Sequence, residues 1–205
     1  MARLDRLGQA AKGVAQIGAA IGREFSYELT ASVGEFPEER LKDALQRLVD
    51  AGLVFQRGTP PEAAYLFKHV LVQDTAYSTL LRGPRRQLHV RIAEALVAHC
   101  PELMDSQPEL FAQHYAEGGL IEKSATYWGK AGHGSVARSA MAEAAAQFQK
   151  GLDQLALLPG IPERLRQQLE FCSALGGALR AVKGLAAPET GQAYARALVP
   201  GIRVE

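Results

Sequence analysis

Cysteine is scarce in this sequence of 205 residues, in which Cys100 and Cys172 are the only two. They are 72 positions apart in segments with helical periodicity, so we expect buried free thiols rather than a disulfide framework. Long apolar runs are also lacking: the longest, residues 14–22, is interrupted by Gln16 and Gly18, whereas a bilayer-spanning helix needs about 20 apolar residues. The net charge of +1 excludes a general attraction to nucleic acid or to anionic membranes.

The common catalytic and metal-binding motifs are absent as well. The sequence contains no G-x-x-x-x-G-K-[ST] loop for phosphate, no G-x-S-x-G turn, and no H-E-x-x-H or C-x-x-C spacing. His89, His99 and His114 are scattered rather than spaced as metal ligands. No convincing signal-cleavage site follows the basic residues at the start. We therefore predict a cytoplasmic chain that has no catalytic residue, binds no metal and is not an enzyme by itself.

Apolar spacing in the first half predicts three helices followed by a hairpin. The helices are expected at residues 12–21, 26–33 and 37–51. Two short apolar segments, Val54–Arg57 and Ala64–Phe67, then flank a Gly-Thr-Pro-Pro-Glu loop that is typical of a hairpin connection. Three helices with a two-stranded wing predict a winged-helix domain.

A winged helix can bind DNA when the helix before its hairpin enters the major groove. Residues 37–51 contain Arg40, Lys42 and Arg47 against four acidic residues, which is a net charge of −1. Such a helix would repel phosphate groups, so we expect a protein partner rather than nucleic acid or a membrane. A DNA-binding winged-helix transcriptional regulator with a helical-repeat sensor domain is the alternative interpretation.

Helical periodicity continues to the end of the chain. Two helices are expected at 69–81 and 85–99, and five more follow with short Gly or Pro connections, at 108–117, 120–139, 142–157, 162–183 and 188–198. We predict a mainly α fold with two domains: a winged-helix-like domain with trailing helices at 1–100, and helical-hairpin repeats at 101–205.

Three of the later helices share one pattern, in which an aromatic residue lies between two small residues. The aromatic residues are Trp128, Phe148 and Tyr194. Small residues let helices approach closely and the aromatic ring fills the space between hairpins, as in tetratricopeptide repeats. The copies are spaced by 20 and 46 residues rather than 34, so the array is irregular. The predicted repeat-packing residues are Trp128, Gly132, Ala144, Phe148, Gly151, Tyr194 and Ala197.

His69 lies where the second strand of the predicted hairpin runs into a helix. The first turn of a helix presents unpaired N–H groups and a partial positive charge, which favour a phosphate there. A helix-capping or partly buried histidine is the other interpretation. The helix predicted at 85–99 opens with a basic cluster, Arg82, Arg85, Arg86 and Arg91. This cluster could contact a phosphate or an acidic partner surface, or form an ordinary solvated helix start with salt bridges to neighbours such as Glu94.

Three runs of this sequence, at 2–7, 14–25 and 67–77, resemble the segment that follows the ATPase core in bacterial STAND-type signalling ATPases, especially those fused to class III adenylate or guanylate cyclases. The resemblance extends over residues 2–198. It implies a winged-helix region followed by tetratricopeptide-like repeats that sense a partner or ligand. In the family, a winged-helix histidine at the position of His69 faces the β-phosphate of bound ADP and helps hold the inactive state.

The resemblance also implies what this chain does not contain, because no Walker lysine or cyclase metal-binding aspartate occurs in it. We therefore expect no cofactor for the chain alone, and ATP or ADP only through an ATPase domain outside it. The predicted function is that of a non-catalytic regulatory and protein-interaction module. Residues 199–205 lack a polar capping helix, so we expect the repeat array to be truncated and the chain to be a fragment.

Overall fold

The computed structural model describes Leu4 and residues 6–198, which are mainly helical and include one small antiparallel sheet. The chain divides into two compact units, Met1–Pro101 and Glu102–Glu205. The elements of the first unit are α1 Gln9–Ile21, β1 Glu24–Ser26, α2 Tyr27–Gly34, α3 Glu38–Asp50, β2 Val54–Arg57, β3 Ala64–Phe67, α4 Val70–Ser78 and α5 Arg82–His99. Those of the second are α6 Leu103–Ser106, α7 Pro108–Gly118, α8 Ile121–Ala137, α9 Met141–Leu155, α10 Pro162–Lys183 and α11 Pro188–Leu198.

The helices α1, α2 and α3 bury their apolar faces against one another and against the sheet. In α3 the buried residues Leu41, Leu45 and Leu48 are spaced by four and three positions, which places them on one side of the helix. Ser26 is the N-cap residue of α2, and its hydroxyl accepts a hydrogen bond from the N–H of Leu29 at 3.1 Å. This cap satisfies one of the N–H groups that the first turn leaves free.

The sheet has three strands in the order β1-β3-β2. The hairpin strands β2 and β3 have the predicted bounds and pair with Val54 opposite Phe67. The two-stranded prediction was incomplete, because β1 pairs with the other edge of β3 and places Glu24 opposite Leu66. A strand of three residues carries almost no local signal, and its formation depends on the backbone partners that β3 supplies.

Three aromatic rings form the centre of the hydrophobic core of the first unit. Phe25 stacks on Tyr65 with ring centroids 5.7 Å apart and contacts Phe67 at 5.4 Å. Gly18 on α1 makes room for this cluster, since a Cβ at that position would lie 2.6 Å from the Phe25 ring. The single Gly18 position therefore couples the first helix to the sheet by close contact.

Helices α4 and α5 differ in bounds from the prediction. The predicted helix at 69–81 ends at Ser78, and α5 begins three residues early, at Arg82. Pro84 is therefore inside the first turn of α5 rather than in the connection, which is compatible with helix geometry because the N–H groups of the first turn have no intrahelical acceptor.

In the second unit each long helix packs on the next one along the chain, from α7 to α11. Connections as short as the two residues between α7 and α8 bring consecutive helices side by side. The four-residue helix α6 was not predicted from the sequence. The expectation of a truncated array concerns residues 199–205, which lie outside the described residues.

Candidate functional site

The connection between β3 and α4 holds His69 in an extended conformation, with φ −134° and ψ 136°. The backbone N–H of Lys68 donates to the carbonyl of Leu53 at 3.0 Å, which attaches this connection to the start of β2. The carbonyl of His69 accepts hydrogen bonds from Val72 and Gln73, at 3.0 and 3.4 Å. The histidine is thus fixed as the residue immediately before the helix.

The imidazole of His69 is exposed and makes no capping hydrogen bond to α4. Within the described residues it also has no side-chain hydrogen bond or ion pair. His69 is therefore the N-cap residue of α4 and has backbone partners, as the second interpretation expects, but its ring is exposed rather than partly buried and takes no part in the cap. The exposed ring of His69 can therefore be reached by a ligand from outside the chain.

Exposed apolar side chains follow His69 in the chain, and another lies on the strand β2. Val70 is 56% exposed and Leu71 is 73% exposed, while the ring of Phe55 on β2 is 55% exposed. The Nζ atom of Lys68 lies 4.5 Å from the centroid of the Phe55 ring. We refer to Phe55, Lys68, His69, Val70 and Leu71 as the junction surface. Neighbouring exposed apolar residues of this kind are typical of a protein-interaction surface.

The charges of α3 are largely neutralised within the helix itself. Lys42 Nζ lies 2.7 Å from a carboxylate oxygen of Glu38, and Arg47 Nε lies 2.9 Å from Asp43. The hydrogen bond from Lys42 lowers the pKa of the Glu38 carboxyl. Two of the three basic side chains that a DNA-binding helix would need are thus engaged locally.

The four arginines of the basic cluster on α5 differ in their contacts. Arg85 lies over the Tyr77 ring at 4.8 Å and donates to the carbonyl of Leu80 at 3.1 Å. Arg91 pairs with Glu35 at 3.2 Å rather than with Glu94, the predicted partner. The exposed Arg82 and Arg86 are not paired with a carboxylate in the part of the chain that the structure describes.

In the second unit the predicted repeat-packing residues lie at helix–helix contacts. The side chains of Trp128, Ala144 and Phe148 are buried. A Cβ at Gly132 would lie 2.7 Å from the Phe148 ring, and one at Gly151 would lie 2.7 Å from Phe171. Each glycine thus receives an aromatic ring from a neighbouring helix.

Tyr194 follows the same arrangement on α11. Its ring lies against Gly176 of α10, where a Cβ would come within 2.6 Å. The side chain of Ala197 is outside the described side chains. Tyr127 stacks on Phe111 with ring centroids 5.4 Å apart, so this aromatic residue belongs to a core rather than to a base-stacking surface.

Sequence reasoning missed three members of these contacts, namely Gly129, Phe171 and Gly176. The Phe171 ring fits against Gly129 of α8 and Gly151 of α9 together. Phe171 lies outside the repeated small-aromatic-small pattern, and only the three-dimensional packing brings it to both glycines. A glycine that faces the interior of an otherwise regular helix is the signal that could have found Gly129 and Gly176.

The two cysteines are free thiols in different surroundings. Cys172 is 1% exposed, and burial raises the pKa of its thiol. Cys100 is partly exposed, so the expectation that both thiols are buried is wrong for this residue.

We expect one thiol of the native chain to react rapidly with Ellman's reagent and the second to react only after unfolding, because the thiolate is the reactive form and Cys172 is shielded from solvent. Absorbance at neutral pH, with and without denaturant, measures this. The Cys100→Ser variant should lose the fast phase, whereas Cys172→Ser should keep it. Two fast thiols in the native chain would contradict the packing of α10.

No group of three or more histidine, cysteine, aspartate or glutamate side chains suited to a metal ion occurs among the described residues. In Leu4 and residues 6–198 no helix is both long enough and apolar enough to cross a membrane.

The chain is similar to part of a much longer protein. The chain is 29% identical over 193 residues to an uncharacterized protein of Rhizobium meliloti (strain 1021), and the match covers 94% of this chain and 19% of that protein. The chain therefore spans about a fifth of the length of this relative. No family model and no solved structure matches the chain.

Proposed function

We propose that this chain is a non-catalytic regulatory and protein-interaction module of a STAND-type signalling ATPase, of the kind fused to adenylate or guanylate cyclases. In this proposal residues 1–100 form a winged-helix region with trailing helices, and residues 101–205 form tetratricopeptide-like repeats. The nucleotide, ATP or ADP, is bound mainly by an ATPase domain outside the chain. A cytoplasmic location belongs to the same proposal.

The order of elements supports the winged-helix part. Three helices precede the β2-β3 hairpin, and β1 adds a third strand beside β3. The consecutive packing of α7 to α11, with aromatic rings seated on glycines, supports the repeat part. The match to a much longer relative is compatible with a module inside a larger polypeptide.

The observation that carries the proposal is the position of His69. Its imidazole is exposed at the start of α4 and is flanked by Val70 and Leu71, which are more than half exposed. Because this ring is in contact with solvent, it is accessible to a ligand or domain from outside the chain. At His69 a neutral or charged ring can donate to a phosphate oxygen, and the apolar neighbours can contact the domain that holds the nucleotide.

The first test is titration of the purified chain with ADP and with ATP in a calorimeter. We expect no saturable binding below millimolar concentrations, because the chain has no phosphate-binding loop. Micromolar binding by the chain alone would contradict the proposal. Inspection of the flanking coding sequence for an upstream P-loop domain is a second check, and its absence would remove the domain that the proposal requires.

The second test uses the longer polypeptide that includes this chain. His69→Ala should accelerate ADP release about tenfold and raise the basal output, because a hydrogen bond to a charged phosphate is lost. His133→Ala is the matched control, since His133 is also exposed but pairs with Glu170 at 2.9 Å in the second unit. Equal release rates for the two variants would leave His69 without a role in nucleotide retention.

The DNA-binding alternative is tested by retention on duplex DNA as a function of salt. We expect no retention at physiological salt, because α3 has a net charge of −1 and its Lys42 and Arg47 are paired with carboxylates. Retention on DNA that disappears when Arg40, Lys42 and Arg47 are changed to alanine would support the DNA-binding alternative. It would contradict the proposal that the chain is a protein-interaction module.

A further inference from the structure

An open cleft of about 610 Å³ lies on the first unit, and none of its lining residues belongs to the junction surface. One wall is the exposed side of α2, where Glu28 and Ser32 are one helical turn apart. The loop between β2 and β3 forms another wall through Pro61 and Glu62, and His99 at the end of α5 completes the lining. A volume of this size is in the range of sites that bind small groups.

The lining has an excess of negative charge. It contains the carboxylates of Glu28 and Glu62 but no lysine or arginine. Glu62 forms no ion pair within the described residues, and Glu28 Oε1 lies 3.7 Å from His99 Nδ1. Because His99 is the only group in the lining that can carry a positive charge, at most one of the two carboxylates is compensated.

The polar groups near Glu28 are held in place. His99 Nε2 and Ser32 Oγ are 3.0 Å apart and share a hydrogen bond. This contact holds the imidazole against α2. The ring of His99 therefore forms part of the cleft wall and does not fill the cleft.

The rest of the lining is apolar, apart from one buried hydroxyl. Ala31 and Pro61 offer carbon surfaces, and Tyr27 is only 6% exposed. The Tyr27 hydroxyl is buried and has no hydrogen-bond partner within the described residues. The cleft thus combines a carbon surface with two carboxylates.

We propose that this cleft binds an arginine side chain of a partner polypeptide. The aliphatic stem of arginine fits the carbon surfaces of Ala31 and Pro61, and the guanidinium carries five N–H donors on a planar fork. Donors that point in several directions can reach Glu28 and Glu62 on different walls, whereas an ammonium is a more compact charge. This binding site goes beyond the proposed docking to an ATPase domain, and it uses none of the junction residues.

The test is a titration of the ¹⁵N-labelled chain, followed by amide chemical shifts, with the peptide acetyl-Gly-Gly-Arg-Gly-Gly-amide. We expect saturable shifts at Ser32 and Glu62, and no saturation with the peptide in which uncharged citrulline replaces arginine. The affinity measured from these shifts should fall as the salt concentration is raised, because the carboxylates are exposed to solvent and salt screens their charge. Saturation by the citrulline peptide, or tighter binding of a lysine peptide, would overturn the proposal.

A pair of variants locates the site. Glu62→Gln should weaken binding about fivefold, as expected for loss of one partly solvated ion pair. Glu39→Gln is the control, since it removes the same charge from an exposed position on α3 and should leave the affinity unchanged. Equal affinities for the two variants would overturn the assignment to this cleft, and the salt titration of the unmodified chain tests the proposal even if Glu62→Gln does not fold.

Discussion

Replacing Phe148 with alanine should lower the free energy of unfolding of the second, helical unit by about 3–5 kcal/mol, the cost of emptying a fully buried aromatic site. Phe148 is 0% exposed, and its ring contacts the ring of Phe171 with centroids 5.8 Å apart. Urea unfolding followed by tryptophan fluorescence measures the change, because Trp128 is the only tryptophan and lies in the same region. A loss below about 1 kcal/mol would contradict the packing described here.

The neighbouring glycine provides a double-mutant test of the same contact. Gly132→Ala should destabilise the native chain because the added Cβ would lie 2.7 Å from the Phe148 ring. In the Phe148→Ala background the same methyl group enters the vacated space, so we expect a coupling of about 1–3 kcal/mol between the two sites. Gly177→Ala is the control. It has no atom within 4 Å of the new Cβ and should stabilise by about 0.5–1 kcal/mol through helix propensity.

The second large effect is expected in the first unit. Phe25→Ala should cost about 3–5 kcal/mol, since Phe25 is 2% exposed and its ring contacts Tyr65, Phe67 and the position of Gly18. Amide hydrogen exchange of β3, compared with the unmodified chain, measures the loss in this unit.

Phe55 supplies the matched control for Phe25, because it lies on a strand of the same sheet but is 55% exposed. Phe55→Ala removes the same number of atoms and should cost less than about 1 kcal/mol, since most of its ring is already in water. If the two variants lost equal stability, the assignment of Phe25 to the core would be wrong.

The elements that local spacing defines could be predicted from the sequence. The helix α3 has leucines at one face, and the hairpin strands β2 and β3 are short segments with apolar residues on either side of a loop that contains glycine and proline, so their positions follow from periodicity and turn residues. The strand β1 could not be predicted, because its three residues become a strand only when β3 offers them a partner.

The two candidate sites, His69 and the cleft, also differ in whether the sequence alone could predict them. His69 could be found because a strand-to-helix transition is visible in consecutive residues, yet its exposure depends on how α4 packs. The cleft of Glu28, Glu62 and His99 could not be found, because its walls come from segments up to 71 positions apart. No local spacing relates such residues, and only the folded chain brings their charges together.

The seating of Phe171 against two helices also has an evolutionary consequence. A side chain larger than glycine at position 129 or 151 would occupy space that the ring fills, so neither glycine can be exchanged independently of residue 171. Among homologues that keep this helix packing, we expect the three positions to vary together. A bulkier residue at 129 or 151 should accompany a smaller one at 171, which leaves a trace of the contact in aligned sequences without any structure.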